Sequence, residues 1–233
     1  MENSENKSLI STGNSNLSKT EKLLSITQKI LSEIKLQYKS VKIGTQEWMT
    51  RNLDVDRFRN GDLIPHVESD EEWKNAVENK QPACCYYDND PENGKEYGKL
   101  YNWFAVNDPR GLAPEGYHVP TDEEWTILVE YLGGEGIAGH KMKSAVGWNS
   151  WEDEDGEIQN GNGDNSSGFN ALPGGNRSCD GSFNDGRGRP FFWSAMEDDN
   201  YDAWLQYLYN NNGNVIRYAI DKRYGFSVRC LRD

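Results

Sequence analysis

The densest cluster of hard oxygen donors lies in WEDEDGEIQNGNGDNSSG, from Trp151 to Gly168. Calcium prefers carboxylate, amide and carbonyl oxygens on a pliable loop. Asp153, Asp155, Glu157, Asn162, Asp164 and Asn165 supply those groups. The DEDGEI core looks like the middle of an EF-hand loop. Aligned that way, Trp151 stands at the first ligand position and Asn162 at the last, where a glutamate is needed. The EF-hand reading fails, and Asp153, Asp155, Asp164 and Asn165 stay as candidate ligands of a structural calcium. A solvated acidic loop is the plainer alternative. No other cofactor is expected.

No catalytic set stands out elsewhere, and the chain reads as a non-enzyme. His66, His118 and His140 lie in separate contexts, and His118 just precedes a helix start, where a structural hydrogen bond suits it. A nucleophilic serine in a GxSxG turn is missing. Acidic residues are so numerous, 38 in all, that paired carboxylates for glycoside hydrolysis carry no signal. The cysteines are Cys84, Cys85, Cys179 and Cys230, with no CxxC spacing for zinc. They allow three full disulfide pairings or four reduced thiols.

Binding chemistry is better represented. From Asp198 to Tyr224 the chain alternates apolar and aromatic residues with Asn, Asp and Tyr around the turn formers Asn211, Asn212 and Gly213, which suits a hairpin. Tyrosine offers rigid contact area and asparagine adaptable hydrogen bonds. The candidate ligand-binding residues are Asn200, Tyr201, Asp202, Gln206, Tyr207, Tyr209, Asn212, Asn214, Ile216 and Tyr218, with a carbohydrate or a protein surface as partner. A solvated hairpin is the alternative. The net charge of −13 argues against nucleic acid, because phosphate binding needs clustered Lys and Arg.

The elements that must position these residues read as an α+β fold. Ser69 and Glu72, and Thr121 and Glu124, are capping boxes that start helices over residues 69–79 and 121–132, the second ended by Gly133. Short strands and Gly-rich loops follow Trp151. Residues 1–16 are polar and expected to be disordered. Residues 17–39 carry Leu23, Leu24, Ile26, Ile30, Leu31, Ile34 and Tyr38 at helical spacing, an amphipathic arm that packs on its own domain or self-associates. Residues 40–233 form the main domain. No apolar run is long enough to span a membrane, and no signal-peptide core is visible, so the chain reads as cytoplasmic as written.

Six ordered segments carry a family resemblance: WMTRNL (48–53), YGKLYNWFAV (97–106), GYHVPTDEEW (116–125), GFNALPGGNR (168–177), FWSAME (192–197) and YGFSVRCLRD (224–233). Together they resemble the Fibrobacter succinogenes major paralogous domain, from about Val41 to the last residue. The resemblance implies a C-type-lectin-like fold, shared with the formylglycine-generating enzyme. That means small twisted antiparallel sheets, two flanking helices and long irregular loops. It also implies a bacterial setting, often on secreted or surface lipoproteins. Ala113 stands where many relatives have a cysteine, so Cys179 or Cys85 would be the candidate partner of Cys230. The related oxidoreductase binds copper with two nearby cysteines, which here would have to be Cys179 and Cys230. Lectin-like domains are also targets of retroelements that randomise codons. Asn200 to Tyr218, between FWSA and GFSVRC, resembles such a variable region, which implies an adhesin or receptor-binding module of bacterial or phage origin.

Overall fold

The computed structural model describes residues 21–28 and 38–233. The chain divides into two units, Met1–Leu36 and Gln37–Asp233. In the first, residues 21–28 form helix α1, with Leu23, Leu24 and Ile26 exposed. The rest of that unit, including the expected tail and most of the expected arm, lies outside the described residues. Tyr38 departs from the expected helical stripe. It is a turn residue of the second unit, its ring stacked 6.3 Å from that of Tyr117, whose hydroxyl donates to the Tyr38 carbonyl at 3.2 Å.

In the second unit, both capping boxes form as the sequence requires. Helix α2 (Asp70–Glu78) starts at Ser69, whose hydroxyl accepts from the Glu72 amide while the Glu72 carboxylate receives the Ser69 amide. It buries Trp73 and Val77. Three short elements follow: β3 (Cys84–Cys85), α3 (Pro91–Tyr97) and β4 (Leu100–Asn102), which runs into α4 (Trp103–Val106). The α3 helix begins on an Asp90 cap with Pro91 in its first turn, where a missing N–H costs nothing. After β5 (Tyr117–His118), Thr121 and Glu124 box the start of α5 (Asp122–Tyr131), which buries Trp125, Leu128 and Val129.

Helix α6 (Glu135–Met142) has no side-chain cap, and two glycines interrupt its apolar pattern, which hides it from periodicity. Tertiary contact explains Gly139: its amide donates to the Gly213 carbonyl at 2.9 Å. A Cβ there would sit 2.6 Å from the Asn214 carbonyl oxygen. The described residues thus hold six α-helices rather than the three expected, because α3, α4 and α6 are short and locally weak.

Four antiparallel sheets make up the rest. Strands β1 (Ser40–Ile43) and β2 (Gln46–Met49) join β14 (Leu231–Arg232) and β5 in the order β1-β2-β14-β5. Strands β8 (Gly174–Arg177), β9 (Phe183–Gly186) and β13 (Gly225–Phe226) complete the order β3-β4-β13-β8-β9. Strands β6 (Trp151–Glu152) and β7 (Ile158–Gln159) pair alone. Strands β10 (Phe191–Glu197), β11 (Asp202–Leu208) and β12 (Val215–Asp221) form the longest sheet.

The core is aromatic. Trp48, Trp125, Phe169 and Phe192 form one cluster, with ring centroids 4.7 to 5.9 Å apart. Trp193 and Phe226 centre a second, with Trp193 Nε1 donating to the Tyr101 carbonyl at 2.8 Å. Two buried guanidiniums tie distant segments together. Arg229 donates to the carbonyls of Met49 and Phe169 and to Asn52 Oδ1. Arg177 donates to the carbonyls of Val67, Glu68 and Gly181 and lies between Trp73 and Phe183, 4.8 Å from each ring centroid.

Candidate functional site

Side chains alternate between the two faces of a strand, so register decides what the β10–β11–β12 sheet presents on each side. Tyr207 pairs with Phe191 and Ile216, Leu205 with Trp193 and Tyr218, and Ala203 with Ile220. These residues share one face. Gln206, paired with Phe192 and Arg217, lies on the other. That second face meets the first turn of α5: Phe192 packs 5.6 Å from Trp125, and the Arg217 guanidinium bonds Asp122 at 2.8 Å.

The first face, next to β8 and β9, opens a cleft of about 410 Å³. Its floor is a row of four near-parallel rings. Tyr207 and Phe191 lie 5.5 Å apart at 25°, Phe191 and Phe226 5.1 Å at 18°, and Phe226 and Tyr224 5.6 Å at 21°. The two phenylalanines are buried and the tyrosines at the ends are half-buried. Offset stacking of this kind is favoured over face-to-face overlap by the ring quadrupoles. Tyr218 on β12 is 54% exposed and flanks the cleft. Burial, then the Tyr209 hydroxyl 3.4 Å away, push the Tyr207 phenol up to about 12, so it stays a neutral O–H at physiological pH.

Asn176, Ser178, Asn184, Asp185 and Arg189 supply the polar rim. The Arg189 guanidinium lies 3.5 Å from the Asp185 carboxylate and 4.4 Å from the centre of the Tyr209 ring. Asn176 Nδ2 donates to Asp185 Oδ2 at 3.1 Å. None of these five rim residues belonged to the expected site. They come from GGNRSCDGSFNDGRGR, read as frame and loop, and only the fold brings it beside the hairpin.

The ten expected ligand-binding residues do not converge. Tyr207 and Tyr218 line the cleft, Ile216 shares their face, and Tyr209 abuts it through Tyr207 and Arg189. Gln206 is 4% exposed on the opposite face, a misplacement by one step of strand parity. Asn200, Tyr201 and Asp202 stand at the β10–β11 end, where Asp199 Oδ1 accepts from the Tyr201 and Asp202 amides at 2.7 and 2.8 Å. Asn212 and Asn214 form the β11–β12 turn at the other end, Asn212 Oδ1 accepting from the Asn214 amide at 2.9 Å. Lys143 holds that turn. Its buried ammonium donates to the carbonyls of Gly161, Tyr209, Asn210 and Asn212 at 2.9, 3.2, 3.4 and 3.1 Å.

The four candidate calcium ligands serve their own loops. Asp153, beside the β6–β7 turn, accepts from the Glu157 and Asp155 amides and from Gln159 Nε2. The Glu157 amide above all holds its carboxyl below the ordinary range. Asp155 is in that same turn. Asp164 accepts from the Ser166 amide, and Asn165 Oδ1 from the Asn170 amide. Among the described residues, no group of three or more His, Cys, Asp or Glu is placed to hold a metal.

All four cysteines are unpaired. Burial pushes the Cys230 thiol up to about 12, whereas Cys179 is half-buried in the β8–β9 turn. His118 is held structurally, Nδ1 2.8 Å from Asp233 Oδ1 and Nε2 2.9 Å from Glu124 Oε1. Among the described residues no helix is long and apolar enough to cross a membrane.

No curated protein and no solved structure matches the chain significantly. The family model of the Fibrobacter succinogenes major domain matches residues 41–232, from β1 through β14, and the chain belongs to that family.

Proposed function

We propose that this domain is a non-catalytic binding module of C-type-lectin-like architecture. Its ligand is a carbohydrate or a protein surface, held in the cleft between β8–β9 and the β10–β11–β12 sheet. The row of rings from Tyr207 to Tyr224 carries this reading. A concave site of a few hundred Å³ with an apolar floor and a few fixed polar groups is the usual form of a small-ligand site. The frame supports the same view: buried Arg229 and Arg177 anchor the loops through carbonyl groups and make no use of the side chains that face the cleft.

The stretch from Asn200 to Tyr218 suits a variable receptor-binding surface, with burial limiting what can vary. Ala203, Leu205, Leu208 and Val215 are at most 1% exposed and belong to the core. Tyr201, Tyr207, Ile216 and Tyr218 are free to change. Among close paralogues, substitutions should gather at the second group and spare the first; an even spread would remove the variable-protein reading. The binding role itself is tested with the full chain on a glycan array and against purified cell-surface proteins, alongside Tyr218→Ala and Tyr224→Ala. Ligands that bind both variants as well as the parent would end the assignment of this cleft.

A further inference from the structure

We infer that the ligand of the cleft is an uncharged carbohydrate, a hexose-based glycan whose C–H face stacks on the tyrosines and whose hydroxyls meet the Asn176–Asp185 rim. This rests on the binding role proposed above and narrows it to one ligand class.

Three observations converge on that chemistry. The first is the floor. Aromatic faces carry negative quadrupole charge and attract the positive C–H edges of a sugar ring. Tyr207 and Tyr224 cap a row of near-parallel rings, and half-exposed Tyr218 stands beside it.

The second is Asn176. Its side chain is 5% exposed and lines the cleft. Nδ2 is committed to Asp185 Oδ2 at 3.1 Å and to the Asn184 carbonyl at 3.4 Å. Oδ1 accepts no hydrogen bond among the described residues. Among the described residues the buried side-chain polar atoms without a partner are Trp73 Nε1, Asn89 Oδ1 and Trp125 Nε1; Asn176 Oδ1 is not one of them and stays within reach of solvent in the cleft. A ligand hydroxyl would supply the missing donor, and the Ser178 hydroxyl on the same rim can give or accept another.

The third is charge. The rim has one acid and one base, and they answer each other: Arg189 lies 3.5 Å from Asp185, with its guanidinium also over the Tyr209 ring. No cation is left over to meet a uronate or sulfate, and the chain as a whole carries −13. An anionic glycan would enter against that field.

The test is isothermal titration of the full chain with cellohexaose, laminarihexaose, mannohexaose and isomaltohexaose, against hexagalacturonate. At least one neutral oligosaccharide should bind at least ten times more tightly than hexagalacturonate, with little dependence on salt. Tyr218→Ala should weaken that binding at least tenfold, and Tyr218→Phe should retain it within about threefold. Because Tyr218 is half exposed, both variants should keep the parent's circular dichroism and melting temperature. The inference is overturned if hexagalacturonate binds preferentially, if none of the neutral sugars binds, or if Tyr218→Ala binds them like the parent. Should the sugars fail while an identified protein ligand loses its binding in Tyr218→Ala, the sugar class falls and the binding role stands. If no ligand of either kind depends on Tyr218 or Tyr224, both fall.

Discussion

Lys143 offers the sharpest test of how the β11–β12 turn is held. Its ammonium is buried with four backbone carbonyls as acceptors and no carboxylate. Replacing it by methionine keeps most of the volume and removes the cation. The one buried and three part-buried acceptors left behind cost about 1 kcal/mol each. Against this, burial has pulled the lysine from 10.5 down to about 8. That depression means roughly 3 kcal/mol of unfavourable desolvation, which methionine relieves at pH 7. The net loss at pH 7 is therefore only about 1 kcal/mol or somewhat more. The pH dependence is more telling. Between about 8 and 10.5 the unfolded chain binds the lysine proton and the folded chain does not, so the parent gains stability relative to Lys143→Met as pH rises. By pH 9.5 the added advantage is on the order of 2 kcal/mol. Urea unfolding of both proteins at pH 7.0, 8.5 and 9.5 measures it. Taking the difference between the proteins matters, because the thiols of Cys84, Cys85 and Cys230, raised by burial to about 12, 11 and 12, lower alkaline stability in both alike. A difference that stays constant with pH, or shrinks, would refute the depression of Lys143 by burial on which this reasoning rests.

Two further outcomes follow from the same framework. Gly139→Ala should destabilise the domain by about 1–2 kcal/mol, because overpacking against the Gly213 and Asn214 carbonyls, 2.7 and 2.6 Å from the new Cβ, outweighs the gain in helix propensity. Gly136→Ala, with nothing nearer than 4.0 Å, should be neutral or stabilising by up to about 1 kcal/mol, so thermal melts showing equal shifts would contradict the reasoning. Burial opposes charge on His118, but its hydrogen bonds to Asp233 and Glu124 prevail and raise its pKa above the ordinary 6.5. Its contribution is thus complete below 6.5 and lost as pH rises through the folded value. His118→Gln should cost about 0.5–1 kcal/mol at pH 5.5 and less at pH 8, measured by denaturant midpoints.

Legibility followed the range of the forces involved. The α2 and α5 starts were readable because a capping box is a contact between residues three apart. The β11–β12 hairpin was readable from its turn formers. Helix α6 was not, because Gly139 is explained by a turn some 75 residues further on, at Gly213, and no local pattern records that. The site divides the same way. Tyr207 and Tyr218, which line the cleft, could be named from the sequence because they sit on the hairpin that announced itself. Asn176, Asn184, Asp185 and Arg189 were missed because only the fold sets their segment beside it.

This division has a physical origin in how the frame is built. Arg229 joins WMTRNL through Met49 and Asn52 to GFNALPGG through Phe169, and itself belongs to YGFSVRCLRD. Three of the segments that identify the family are therefore one hydrogen-bonded unit. Each depends on a guanidinium fork that a lysine could not reproduce. Removing it would strand several buried acceptors at once, which is far costlier than losing a surface contact. Residues of that kind must keep both type and spacing, so they form recognisable words in a sequence. A side chain on the open face of the β10–β11–β12 sheet has no comparable obligation. Tyr218 can change without disturbing Arg229, Arg177 or the aromatic clusters beneath. Motifs report the frame, and a ligand specificity that rests on the open face has to be read from the geometry around Tyr207, Tyr218 and Asn176.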